Sequence, residues 1–428
     1  MLVQFIVSNY RSINEEQEFS MVAGSTRNHY DHIADCGGVK LLKGSALYGS
    51  NSAGKTSLIR AFLFSKRMIT KGMVAFDDEK DYCRTKKENA NKASHFEYLI
   101  EMDGELYYYG FEILLSQSKF LCEWLYKRNM KKDEDEVIFD INYGTETIDI
   151  SYFESNDEDT SKLNFYQESA ANDGLLLLKQ VGKTKSIDDS SNLMIIKKIY
   201  LWFKDKLIIR NSSVPNRGEE CDEEYIGKFN KLAKMIGLDI EKTTLVEKDA
   251  SDLDDMLSQF ISRRERIVLN SPGRSIKKDG ENITVSEISI KHNSSESDFS
   301  LADESDGTLE LYRLAPQLFP NTDNVTIIID EFGSKLHPLV APKVIETFYK
   351  QNSDNKCQLI VATHQTSIMT PDIYRPDEIW LVDKKDGESL YYSLEEFKIR
   401  PDTRWDRQYL EGRFGALAIF DDSVNENA

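Results

Sequence analysis

The pattern Leu2-x-x-Phe5-x-Val7, followed by Phe19-x-Met21, predicts two strands around a turn at Asn9-Tyr10-Arg11-Ser12. A polar, glycine-containing connection over 23–43 leads to the apolar Ala46-Leu47-Tyr48, which reads as a strand end. Thr56 to Leu63 then has helical spacing. After a charged segment over 77–92 come β-prone stretches at 95–102, 106–115 and 120–126, the first two joined by the hairpin signal Asp103-Gly104. Residues 127–192 read as polar and irregular. Helical spacing returns over 193–203 and 225–236, the latter with Gly237 as C-cap, and 283–290 reads as a strand whose alternation changes phase near Ser286-Glu287. Two β-branched runs, Val325 to Ile329 and Leu359 to Ala362, have the look of buried parallel strands. No internal repeat and no long heptad run is present, so no coiled-coil arm is expected.

Between the first buried strand and its helix lies Gly49-Ser50-Asn51-Ser52-Ala53-Gly54-Lys55-Thr56-Ser57, which fits G-x-x-x-x-G-K-[ST]. Gly49 and Gly54 permit backbone angles that let successive N–H groups converge on phosphate oxygens at a helix N-terminus. Lys55 is expected on the β/γ-phosphates and the Thr56 hydroxyl on Mg²⁺. The alternative is a glycine-rich turn. The Val325 run ends in Asp330-Glu331, which places Asp330 to hold Mg²⁺ and Glu331 to orient and polarise an attacking water. The Leu359 run ends in Thr363-His364, where a histidine can donate a hydrogen bond that reports a γ-phosphate. Incidental acids and a structural histidine are the rival readings. Ser305, Gly307 and Thr308 stand at another helix start, with Leu309, Leu311, Leu314 and Leu318 downstream. That start is either an ordinary N-cap or a second anion site. Two copies of the chain facing head to tail would set it on the partner's γ-phosphate.

Composition narrows the classes. A net charge of −19 argues against a generic DNA binder held by phosphate contacts. The strongest basic cluster is Arg263-Arg264-Glu265-Arg266 with Arg274, Lys277 and Lys278. Acidic clusters such as Asp157-Glu158-Asp159 read as solvated faces. The five cysteines are scattered without C-x-x-C spacing, so they indicate neither zinc nor a disulfide framework. The opening residues lack the features of a signal peptide, no run approaches membrane-spanning length, and a cytoplasmic location is expected.

In this order the four stretches resemble the ABC-type ATPase superfamily, within it the soluble branch related to RecF, the SMC proteins and the overcoming-lysogenization-defect (OLD) ATPases. Glu304-Ser305-Asp306-Gly307-Thr308 stands where transporters carry Leu-Ser-Gly-Gly-Gln. Phe5-x-Val7-x-Asn9-Tyr10-Arg11-Ser12 is similar to that branch's first strand and turn, and Leu336-His337-Pro338 to its D-loop region. Tyr409-Leu410-Glu411-Gly412-Arg413-Phe414-Gly415-Ala416 resembles the closing signature of RloA-like and AriA-like anti-phage defence ATPases.

The resemblance implies an α/β ABC-type P-loop ATPase head with a mixed sheet, an antiparallel β subdomain and a helical insert. The divisions expected are 1–126, 127–300 and 301–428. It also implies a head-to-tail ATP sandwich in which Lys55, Thr56, Asp330, Glu331 and His364 act from one subunit and Ser305, Gly307 and Thr308 from the other. Gly333 departs from the acid usual after the Asp-Glu pair, and the family's Mg²⁺-sensing glutamine is not placed. Only about 100 residues follow Glu331, too few for the Toprim nuclease domain of OLD proteins once the His364 strands are formed. A separate Toprim-like nuclease partner, controlled by an ATPase that senses a phage trigger, is therefore the expected arrangement. A RecF-like DNA-end ATPase is the alternative, and a non-catalytic scaffold a further rival.

Overall fold

Six strands lie in the order Leu207–Asn211, Thr326–Phe332, Gln358–Thr363, Gly44–Gly49, Ile379–Lys385 and Glu388–Ser393. They belong to a computed structural model that describes residues 1–73, 77–129, 134–185, 187–211, 221–249, 266–268, 273–279, 282–399 and 403–417. Gly44–Gly49 pairs in parallel with Gln358–Thr363 on one side and Ile379–Lys385 on the other. Its residues and those of Gln358–Thr363 are buried throughout, as the unbroken apolar runs require of strands covered on both faces. Glu388–Ser393 returns antiparallel, which makes the sheet mixed. Gln358 fastens the entry side: its amide donates to the carbonyls of Leu2 and Leu42 and accepts from the Leu2 N–H and the Thr326 hydroxyl.

A second sheet is antiparallel throughout, in the order Thr147–Asp149, Glu134–Asn142, Lys119–Asn129, Glu105–Leu114, Ser94–Met102, Leu2–Ser8 and Gln17–Ser20. The turn at Asp103-Gly104 has φ of 57° and 83°, the left-handed pair that a two-residue hairpin needs. The helix Lys55–Lys71 shares one apolar cluster with both sheets. Its Phe62 stacks on Phe5 with centroids 4.0 Å apart, and its Phe64 lies 5.2 Å from Phe96. The same cluster takes in Leu47, Ile328 and Ile360 of the mixed sheet. Burial of this helix on two sides holds the loop at its N-terminus in place.

Contacts divide the chain into two compact units: Met1–Arg210 with Thr322–Asp330 and Ser353–Ala428, and Asn211–Asn321 with Glu331–Asn352. The divisions expected at 126/127 and 300/301 do not coincide with them, and the first falls inside the Lys119–Asn129 strand. Nor is 127–192 irregular. It holds the strand Glu134–Asn142 and the helices Asp157–Asp173 and Leu177–Gly182. The long helix is capped by Asn156, which accepts from the Glu158 and Asp159 N–H groups, and it ends at left-handed Gly174. Only Asp159, Leu163 and Ala170 on it are buried, too thin a stripe for periodicity to reveal. The connection over 23–43 likewise contains a hairpin, Ile33–Cys36 with Val39–Leu42.

Glu123 ties the antiparallel sheet to the helix Leu177–Gly182. Its fully buried carboxylate accepts from the hydroxyls of Tyr109 and Tyr143 and the N–H groups of Leu177 and Leu178. Burial pushes its pKa up to about 7 although all four donors favour the charge. Glu123→Ala orphans four donors and is expected to cost about 3 kcal/mol in urea unfolding followed by tryptophan fluorescence. Because the folded pKa lies above the unfolded one, this group's contribution to stability is full below about pH 4.5 and is lost as pH rises through about 7. Glu123→Leu removes that part of the pH dependence.

In the second unit the helix Glu223–Ile236 starts on the Asp222 side-chain cap and ends at left-handed Gly237. Its Tyr225 stacks on Tyr312 of the helix Asp306–Leu318, centroids 5.0 Å apart. A five-stranded sheet runs Lys242–Asp249, Asn282–Lys291, Arg274–Asp279 and Arg266–Val268, with Phe299–Ser300 paired to Asn282–Lys291. Of the basic cluster, Arg263, Arg264 and Glu265 lie outside the described residues, and Arg274 is paired with Glu287 at 2.5 Å.

Candidate functional site

The phosphate-type loop leaves the central strand at Gly49 and enters its helix at Lys55. Gly54 has φ 126°, and a Cβ there would overlap the Ser389 hydroxyl, so conformation and space both demand glycine. Gly49 differs from the expectation. It is not among the positive-φ residues, and what requires glycine there is the Val382 carbonyl, which a Cβ would overlap. The loop is held from beneath. The Ser50 N–H donates to the Ala416 carbonyl at 2.9 Å, the Tyr391 hydroxyl to the Gly54 carbonyl at 2.8 Å, and Lys384 Nζ to the Ser52 carbonyl at 3.1 Å. A chain of hydroxyls joins Ser57, Ser12 and Ser389 at 2.7 Å each, linking the helix start to the last sheet strand, and ends where Ser389 donates its one proton to the Ala53 carbonyl. Ala53 is buried, while Asn51, Ser52 and Thr56 face solvent.

Lys55 is the one charged side chain folded into this loop. Its ammonium donates to the carbonyls of Gly49 at 2.7 Å and Ser50 at 3.1 Å. Burial pulls its pKa down to about 8, opposed by the charge of Asp330. The charge of Asp330 acts on Lys55, so the acid at a strand end lies near the lysine that opens the helix, both within the first unit. Asp330 itself is buried, at the end of the Thr326–Phe332 strand.

His364 follows Gln358–Thr363 by one residue. In the parallel register Ala362 faces Leu47, so two steps further His364 stands level with Gly49. The Tyr48 hydroxyl donates to the Gln365 carbonyl at 3.1 Å and fixes that alignment. Three strand ends thus deliver Lys55, Asp330 and His364 to one edge of a sheet, where α/β proteins hold ligands. Glu331 is exposed at φ 57°, a left-handed conformation unusual for a glutamate. Strain of this kind collects at functional positions.

In the second unit Ser305 is the N-cap of Asp306–Leu318, accepting from the Thr308 N–H at 3.2 Å, with Gly307 and Thr308 in the first turn. Sequence reasoning missed Glu310. Its buried carboxylate accepts from the N–H groups of Gly333 and Lys335 at 2.8 Å each, and Lys335 Nζ returns to Asp306 at 3.1 Å. Gly333 has φ 75°, which suits a glycine better than the acid expected there. Ser389 and Ala416 were also unassigned. The closing signature pointed towards Ala416, but nothing in the sequence pointed to Ser389.

The donors fit a nucleotide and a hard cation: a nest of N–H groups and an ammonium for phosphate, a hydroxyl and a carboxylate for Mg²⁺. A cavity of about 600 Å³ elsewhere in the first unit, lined by Met73, Lys119, Phe120, Ile141, Tyr143 and Leu175 among others, includes none of these residues. No helix among the described residues is long and apolar enough to cross a membrane.

A family model described as "AAA domain, putative AbiEii toxin, Type IV TA system" matches residues 45–370. No curated protein matches the chain. Among solved structures, an SMC head bound to the C-winged helix domain of ScpA is similar at 13% identity and TM-score 0.45, covering 92% of this chain and 99% of its own. The SMC head domain from Thermotoga maritima is similar at 14% identity and TM-score 0.41, with 92% and 98% covered. An SMC head with coiled coil and joint from Pyrococcus yayanosii is similar at 12% identity and TM-score 0.42, with 96% and 99% covered.

Proposed function

The chain belongs to this family of AAA domains, matched over residues 45–370, and from that premise we propose that it binds and hydrolyses ATP to control a toxic effector in anti-phage defence. The observation that carries the ATPase reading is the gathering of Lys55, Asp330 and His364 at one sheet edge beside a loop that only glycine at position 54 can form. Lys55 and the N–H groups of Asn51, Ser52, Gly54, Lys55 and Thr56 take the phosphates, while those of Ser50, Ala53 and Ser57 donate to protein carbonyls and hold the loop in shape. Thr56 and Asp330 hold Mg²⁺, which neutralises charge on the transferring phosphate. Glu331 orients the attacking water, and His364 donates to the γ-phosphate. Two chains pair head to tail, and Ser305, Gly307 and Thr308 of one close on the nucleotide of the other. ATP then favours the paired state by its differential affinity, and hydrolysis releases it.

The family's printed description supports the link to toxin–antitoxin biology. The effector we infer is a separate Toprim-like nuclease, released by a phage trigger, with the ATPase in the cytoplasm. Co-purification of the product of the adjacent reading frame, with nuclease activity that depends on nucleotide state, tests this. If the tagged chain brings down no partner in infected cells, this part of the reading fails. The same description favours a second reading, in which this chain is itself the toxic component. Growth arrest on expressing it alone distinguishes the two.

Lys55 also makes affinity depend on pH. Phosphate binding favours the ammonium, so it raises a pKa that burial holds near 8 in the free protein. ATP affinity is expected to fall about tenfold per pH unit above about 8, with proton uptake in calorimetry. Lys55→Arg, charged at every accessible pH, flattens the profile.

A further inference from the structure

A second cluster of ligating side chains lies away from the phosphate loop, in the sequence His29-Tyr30-Asp31-His32. His29 is left-handed, at φ 50°, and Tyr30–His32 forms a single tight turn. That curl brings the imidazoles of His29 and His32 into a stack with centroids 4.6 Å apart and planes 23° from parallel. One ligand atom from each of His29, Asp31 and His32 lies within 4.8 Å of the others. Two imidazoles beside a carboxylate are the donor set of a transition-metal cation.

The surroundings orient both rings. His29 Nε2 lies 2.7 Å from the Pro371 carbonyl, and His32 Nδ1 lies 3.0 and 3.1 Å from the two oxygens of buried Glu378. Each of those nitrogens must carry the proton to donate to an oxygen, which puts the lone pair of the neutral ring on the opposite nitrogen. A carboxylate or carbonyl behind a histidine is the arrangement that fixes a metal ligand's tautomer and raises its basicity. Asp31 is exposed, which leaves the side of the cluster it occupies open to water.

We propose that His29, Asp31 and His32 bind one divalent cation of the Zn²⁺ class, with Glu378 and the Pro371 carbonyl as the orienting groups behind the histidines. Imidazole nitrogen selects Zn²⁺ over Mg²⁺ and Ca²⁺, which prefer all-oxygen sites. Water completes the coordination. The cation braces the turn against the segment 371–378, which leads from the His364 strand to the strand Ile379–Lys385. The turn is already latched without it. The fully buried Arg375 guanidinium donates to the carbonyls of Thr26 and Asn28 at 3.0 and 2.7 Å. Substitutions at His29 and Asp31 should therefore leave the fold intact.

The test is calorimetric titration of Zn²⁺ into the untagged, chelator-stripped full chain in excess Mg²⁺. The expected result is one equivalent bound, with a rise in the thermal unfolding midpoint. Asp31→Asn and His29→Ala should each weaken binding at least about tenfold, whereas Asp330→Asn, at the phosphate site, should retain it. If His29→Ala fails to fold by circular dichroism, the exposed Asp31→Asn still decides. The proposal is overturned by an absence of stoichiometric Zn²⁺, by undiminished binding in Asp31→Asn, or by its loss in Asp330→Asn.

Discussion

Glu331→Gln should bind ATP with wild-type affinity and hydrolyse it at least about a hundredfold more slowly, the usual scale for losing a general base. The glutamine keeps shape and backbone but cannot take a proton from water. Glu331 is the exposed position of a strand otherwise buried from Thr326 to Phe332, at φ 57°. A left-handed glutamate costs on the order of 1 kcal/mol. This gives a second readout. Glu331→Gly relieves the backbone while removing the carboxylate, so it should stabilise the protein slightly and abolish turnover. Unchanged turnover in Glu331→Gln removes Glu331 from its assigned role.

Lys55→Ala should weaken ATP binding by at least about a hundredfold, the scale of two charge-assisted hydrogen bonds to phosphate. The fold should survive, because the substitution removes a buried ammonium that burial already disfavours. Nucleotide-dependent pairing should be lost together with binding, since the same ATP joins both subunits in this account. Sedimentation with and without ATP, alongside calorimetry, reads both. Loss of binding with pairing retained would contradict a shared site.

What could be read from the sequence and what could not divide along physical lines. The strands that precede the glycine-rich loop, Asp330-Glu331 and Thr363-His364 were legible because each is a short apolar run, as burial leaves it. The helix Asp157–Asp173 was not, because it buries so few side chains that its sequence has no apolar stripe. Glu310, Ser389 and Ala416 were hidden for another reason: each acts on backbone groups distant in sequence, and a single sequence carries no trace of such a pairing. Gly49 was identified correctly as a glycine the loop needs, but for the wrong cause. The backbone angle is ordinary and the neighbouring strand's carbonyl sets the limit. Zinc was set aside on cysteine spacing alone, which says nothing of histidines brought together by a turn.

The central claim is that each ATP site is completed by a second copy of the chain. Mixing two inactive variants tests it most directly. Lys55→Ala disables the phosphate loop, and Ser305→Arg fills the helix start meant for the partner's γ-phosphate. Each alone should lack ATPase activity. In a mixed head-to-tail dimer one site combines an intact loop with an intact helix start, so an equal mixture should recover about a quarter of wild-type turnover. A mixture as inactive as its components would show that loop and helix start must come from the same chain, and would contradict the account.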